Sequence, residues 1–260
     1  MSSEVVEVRP VKDNEKFSEV LKTVLSIDSG PDAVVLKFRG DKLKVEYDIQ
    51  GSHAVRAVFS GNLFSGNLPG DREFKVNREK FLNYFEASEE LGDGVDKMVF
   101  TGDTIDLIYS DDNEFSVAQD YIDNRNTVFT MPMLAIDHQV EGIDESQFVD
   151  NLEVSKNKLD RDDFLLGISD GNVTVRVEDR GGQEGGVLPE VNASVDEDID
   201  VETRFSSYVL KTLIKFLSVD ARKVDLEAGN DVNDNFMCRF SYTEDIRVDF
   251  LMAPTVTGNE

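Results

Sequence analysis

Four stretches of the chain space their apolar side chains as one face of a helix. Phe17, Val20, Leu21 and Val24 follow the i, i+3, i+4, i+7 pattern. Phe81, Leu82 and Phe85 make a shorter version, with Asn77 placed to cap it. Phe148, Leu152 and Leu159 form a third behind Asp144, and Leu210, Leu213, Ile214 and Leu217 a fourth that starts at Ser206 or Ser207. Phe17 lies 131 residues before Phe148, and Leu82 lies 128 before Leu210. Each interval is close to half of the 260 residues, so the pattern predicts two similar halves with two helices each.

Between these helices the apolar residues recur in short runs bounded by turn residues. Residues 32–47 break at Gly40-Asp41, 163–177 break at Asp170-Gly171, and 97–108 and 114–122 flank a turn at 110–113. Residues 223–228, 235–242 and 246–252 complete the set. Hairpins imply antiparallel sheets. One apolar face per helix implies helices laid on one side of those sheets, an α+β arrangement of two similar domains. Residues 123–134 fit neither period and contain Pro132, so they read as an extended connector. The expected division is 1–122, a connector over 123–135, and 136–260. Gly-rich residues 179–189 read as a mobile loop.

Composition narrows the class. Forty per cent apolar residues, including 17 Phe, support a real core despite 53 acidic against 27 basic residues. No apolar run reaches about 18 residues, so no membrane-spanning helix is expected. Residues 1–10 alternate Val with Glu or Arg and lack the apolar stretch of a secretory leader. A lone cysteine, Cys238, rules out a disulfide framework and a Cys-rich zinc site. The expectation is a soluble protein of the cytoplasm, or of a host's cytoplasm if the gene is viral. The net charge of −26 is spread over both halves rather than gathered in a tail. At about 1 M salt the Debye length is about 3 Å, which screens such repulsion, and a halophilic source is hypothesised on that ground. Full stability in dilute buffer would count against it.

Candidate chemistry is sparse. The glycines at 181–186 lack a following Lys-Ser/Thr and precede a strand, so they do not cradle phosphate. Residues 231–235 begin like a calcium loop, but Phe236 stands where Gly is required. His53 and His138 have no ligand partner at i+4, and no Gly-x-Ser-x-Gly occurs. No enzyme, metal or cofactor is expected. The helix faces opposite the core say more. They carry Glu15, Glu19, Lys22 and Ser26; Lys80, Tyr84 and Ala87; Ser146, Asp150, Glu153 and Asn157; and Tyr208, Thr212 and Lys215. In a chain this poor in lysine, outward lysines on three of four helices are a modest signal, and by themselves they read first as ordinary solvated faces.

The fourfold βαβ-type repetition, the midpoint connector and the ending Phe250-Leu-Met-Ala-Pro-Thr-Val256 together resemble the proliferating cell nuclear antigen family of DNA sliding clamps. Met252-Ala253-Pro254 and Val256 stand for the family's Leu-Ala-Pro-x-Ile ending. Residues 205–215 are similar to the family's fourth helix, 21–25 to its first, and 48–53 to its Asp-Ser-Ser-His loop with about two residues added. The resemblance implies the DNA clamp fold, and three subunits closed head to tail around duplex DNA with helices lining the hole. Strand 114–122 of one subunit would pair with the region of 191–195 in the next. It implies a polymerase processivity factor and docking platform without catalysis, loaded by a separate ATP-using machine. DNA-facing lysines map onto Lys22, Lys80 and Lys215, with Lys16 and Lys211 secondary. A second family lysine on helix two appears as Asn83, and the third helix carries Asp150 and Glu153 outward. The partner groove, which accepts short peptide motifs of polymerase, clamp loader, nuclease and ligase, maps onto His53, Val55, Val128, Phe129, Met131, Leu251, Ala253, Pro254 and Val256. A family proline of that groove appears as Asn235. Two alternatives stand beside the ring: a monomeric clamp-like subunit that closes no ring, and an enzyme on a repeated α+β scaffold.

Overall fold

Local chemistry sets the helix starts. The Asn77 side chain accepts the Lys80 N–H at 2.9 Å, Asp144 accepts that of Gln147 at 3.1 Å, and Ser206 that of Tyr208 at 3.3 Å. The computed structural model describes residues 6–28, 30–49, 53–66, 68, 70–91, 94–101, 103–109, 113–118, 129–131, 138–158, 163–169, 171–178, 184–187, 191–195, 200–229 and 235–255. Two compact units emerge: 1–131 with 242–248, and 132–241 with 249–260.

The first unit holds β1 (Val6–Pro10), α1 (Asn14–Leu25), β2 (Ala33–Arg39), β3 (Lys42–Ile49), β4 (His53–Ser60), β5 (Phe64–Ser65), β6 (Arg72–Asn77), α2 (Arg78–Leu91), β7 (Lys97–Phe100), β8 (Thr104–Tyr109) and β9 (Asn113–Ala118). Its strands run in the orders β5-β1-β7-β8-β9 and β4-β3-β2-β6. The second unit holds β10 (His138–Glu141), α3 (Glu145–Lys158), β11 (Asp163–Ser169), β12 (Asn172–Glu178), β13 (Glu184–Val187), β14 (Val191–Asn192), β15 (Ser194–Val195), β16 (Asp200–Ser206), α4 (Ser207–Leu217), β17 (Lys223–Ala228), and β18 (Phe236–Thr243) and β19 (Ile246–Met252) apart from their joining residues 242–248, which count with the first unit. Its orders are β15-β10-β17-β18-β19 and β13-β12-β11-β16. The two sets of orders are the same pattern written twice. The pairings are antiparallel, as hairpins require.

Each unit is filled by aromatic clusters. Phe17 of α1 meets Phe59, Phe64 and Phe85 edge-on at 4.9, 5.5 and 6.4 Å between ring centres. In the second unit Phe205 touches Phe164 and Phe236, and Phe216 of α4 touches Phe240 and Phe250. Segment 242–248 is tied to the first unit through the turn before β19. There Asp245 pairs with Lys12, accepts from the Asn62 side chain at 3.4 Å, and offers its carbonyl to the Ser60 N–H at 2.8 Å.

Several expectations change. Residues 97–108 are a hairpin, not one strand: the Thr101 hydroxyl accepts the Asp103 and Thr104 N–H groups and turns the chain between β7 and β8. Residues 184–187, expected in a loop, form β13 against β12, because the Gly-rich run still offers backbone to a strand edge. The expected His loop is a hairpin in which Ile49 faces His53, so His53 begins β4. Strands β1, β4, β5, β6, β10 and β16 have no counterpart in the sequence reading. Leu159, Asp170, residues 179–183 and 188–190, the calcium-like residues 231–234 and most of the connector lie outside the described residues.

The second unit contains a buried charge cluster. Arg239 pairs with Glu227 and, at 2.7 Å, with Asp249, while Lys223 reaches Asp225 at 3.1 Å. The second carboxylate oxygens of Asp225 and Glu227 are buried with no hydrogen-bond partner among the described residues. Burial, reinforced by Asp249 and Asp225, outweighs Arg239 and pushes the Glu227 carboxyl above its ordinary value. A carboxyl raised in the folded state stabilises it below the unfolded-state value, and that stability is lost as pH rises through the folded one. Glu227→Gln is therefore expected to stabilise the protein at pH 8, and to do so less towards pH 4. Arg239 keeps Asp249 in that variant. Urea unfolding of both proteins from pH 4 to 8 checks this, and a difference that does not grow with pH contradicts it.

Candidate DNA-facing helices and docking segments

The candidate lysines sit in different electrostatic settings. Lys22, near the C-terminal end of α1, is half-buried and paired with Glu89 of α2. The two border a cleft of about 390 Å³ that is also lined by Asn14, Glu15, Ser18, Glu19 and Gly94. Lys16 pairs with Glu19 at 3.1 Å. Both lysines of α1 are thus compensated within the protein. Lys80, in the first turn of α2, is exposed and has no ion-pair partner among the described residues. Lys211 is exposed and Lys215 half-exposed on α4, the one described α-helix whose sequence lacks Asp and Glu. Lys215 lies in the last turn, where the helix dipole favours a cation.

Two outward assignments are corrected. Thr212 is buried, and its hydroxyl donates to the Tyr208 carbonyl at 3.3 Å; α4 is covered around more of its circumference than a single apolar stripe implies. Tyr84 does not stand out from α2 but stacks on Phe115 of β9 at 5.2 Å. On α3, Asp150 and Glu153 are exposed as expected. Arg78 carries a different role: its guanidinium donates to the Leu25 and Ile27 carbonyls at 2.8 and 2.7 Å and closes the end of α1.

The docking candidates divide as well. Val55 is fully buried and shares its strand face with Phe59, which packs on Phe17; it is core, not groove. His53 is buried at the start of β4, and that burial pushes its imidazole below the ordinary value. Phe129 is half-buried, Thr130 exposed and Met131 buried. In the second unit Leu251 is buried, while Ala253 and Pro254 are half-exposed. The Thr255 N–H donates to the Arg204 carbonyl at 2.9 Å, which lays this segment along β16. Val128 and Val256 lie outside the described residues. Asn235 is half-buried just before β18.

Two of the sheet edges among the described residues bear on the expected subunit pairing. β9 pairs with β8 alone, and β13 and β14 follow one another along the outer side of β12. The expected edge at 191–195 is therefore shifted: β14 belongs to it with β13, whereas Ser194 and Val195 turn away to pair with β10. No group of three metal-ligating side chains occurs among the described residues, and no described helix is long and apolar enough to cross a membrane.

A twice-written unit of two helices on antiparallel sheets is the architecture of a DNA clamp. Among solved structures, the chain is similar to a proliferating cellular nuclear antigen from Entamoeba histolytica, with a TM-score of 0.74 and 15% identity over 98% of this chain and 100% of that one. It is also similar to a PCNA2–PCNA3 complex from Sulfolobus tokodaii, with a TM-score of 0.70 and 16% identity over 96% of this chain and 99% of that one. A PCNA from Thermococcus kodakaraensis gives 0.71 and 15% over 96% and 100%. No protein-family model and no curated protein matches the sequence. What these similarities establish is the DNA clamp fold along nearly the whole chain.

Proposed function

We propose that this chain is a sliding clamp: three copies close head to tail around duplex DNA, hold a polymerase to its template, and present docking sites to nuclease, ligase and clamp loader. The observation that carries this reading is the doubled strand order, with α1 and α2 in one unit and α3 and α4 in the other. The open edges support closure. β9 of one copy would extend the β13–β14 edge of the next, removing two edges that otherwise invite aggregation.

Topological linkage fits the charge. Phosphate contacts weaken steeply with salt, whereas a closed ring keeps its DNA with only weak, exchangeable ones. Lys80, Lys211 and Lys215 would supply them, with Lys22 and Lys16 held back by Glu89 and Glu19. Such a protein does no chemistry itself. An acidic surface suits molar salt, and the cytoplasm of a halophile, or of a halophile's host, is the setting proposed. Partner peptides would dock on the connector at Phe129 and on the C-terminal segment at Ala253 and Pro254.

Light scattering after size exclusion in molar salt tests the assembly. A trimer elutes at about three times 29.1 kDa. A mass of one chain would instead favour the monomeric clamp-like reading, in which the charge of −26 keeps copies apart.

A further inference from the structure

The outer face of the β4-β3-β2-β6 sheet carries an ion pair whose burial the sheet itself does not explain. By strand alternation Val34, Leu36 and Phe38 of β2, with Leu43, Val45 and Tyr47 of β3, face the helices, and Lys37 and Glu46 point the other way. That face should be wet. On the corresponding sheet of the second unit it is: Arg176 and Glu202 pair at 2.9 Å with side chains 41% and 40% exposed. Lys37 and Glu46 pair at 2.7 Å with side chains only 5% and 6% exposed.

Two buried ions are tolerated when their remaining hydrogen-bonding capacity is met. Both completing partners come from the connector. The Lys37 ammonium donates to the Phe129 carbonyl, and the Met131 N–H donates to the Glu46 carboxylate at 3.4 Å. Two main-chain bonds, on residues 129 and 131, fix the phase of an extended segment. Met131 then turns inward, where it is 3% exposed, and Phe129 stays half-buried.

We propose that Lys37 and Glu46 are positioning residues: their ion pair clamps the connector backbone and sets Phe129 at the docking surface for an apolar-aromatic peptide. The clamp itself is a property of the first unit, and its use in docking rests on the clamp reading given above. Without it the connector would spend binding energy on being ordered each time a peptide docks, which lowers affinity.

The test uses the full chain and the double variant Lys37→Met/Glu46→Leu, which replaces the pair by apolar side chains of similar length. Such a swap leaves a fold as stable as before or more so. In the wild type the Met131 amide is expected to be protected from hydrogen exchange; in the folded double variant it exchanges about tenfold faster or more. Affinity for a Gln-x-x-apolar-x-x-aromatic-aromatic peptide falls about fivefold, and Lys37→Arg, which keeps the charge and the donor, retains it. A Met131 amide that is unprotected in the wild type overturns the clamp whether or not the variant folds, and so does one unchanged in a folded double variant. Faster exchange without loss of peptide affinity overturns the positioning role. In that case Phe129→Ala separates the causes: unaltered binding there means that the docking reading has failed.

Discussion

Changing Lys22, Lys80 and Lys215 together to Glu is expected to cut the length of DNA made per polymerase binding event by roughly a hundredfold, with the trimer intact. Each subunit would turn three cations of the proposed bore into anions, against a helix set that already carries Glu15, Glu19, Glu79, Glu86, Glu89 and Glu90. The three do not weigh equally. Lys22 is paired with Glu89, whereas Lys80 has no ion-pair partner among the described residues, so Lys80→Glu with Lys215→Glu should carry most of the loss. The opposite change follows from the same pairing. Glu89→Gln releases Lys22 and is expected to tighten DNA contact about twofold to fivefold at low salt. Primer extension on a long template, with trimer mass as the control, measures the first effect. Unreduced extension with the reversed lysines would remove these helices from the DNA-facing surface.

Phe17→Ala is expected to destabilise the first unit by about 3–5 kcal/mol. Phe17 is fully buried and lies at the meeting point of α1, α2, β4 and β5 through Phe59, Phe64 and Phe85. Its removal forfeits the transfer energy of a phenyl ring and leaves a cavity walled by three stiff rings that cannot fold inward. Urea unfolding followed by a probe in the first unit gives the value. A loss under about 1 kcal/mol would mean that the cluster repacks and that α1 is not held by this ring.

The helices were legible because their signals are local. The apolar spacing of Phe17 to Val24 and of Leu210 to Leu217, and the caps at Asn77, Asp144 and Ser206, depend only on residues within a turn or two. The hairpins at Gly40 and Gly171 were legible for the same reason: both glycines take positive φ, +59° and +76°, which other residues resist. Strands β1, β4, β6, β10 and β16 are less legible because they interleave charged or polar side chains such as Arg9, Arg56, Lys75 and Arg204 and turn chemistry does not bracket them clearly, and β5 is only two residues long. The candidate site was less legible because its decisive contacts are distant in sequence. Lys37 looks like any outward lysine of a half-solvated strand, and its burial depends on a carbonyl 92 residues away. The compensation of Lys22 lies 67 residues away, on Glu89. The family resemblance places Val55 in the groove beside the His loop, and only the parity of β4 sends it into the core.

The fastening of Asp245 to Lys12, Ser60 and Asn62 has a consequence for how the chain is made. A ribosome delivers the first 131 residues long before it reaches 245, so the amino-terminal half waits, unfinished at that seam, until residue 245 has been made. Translation that stops before residue 245 would leave the earliest-made half without this fastener.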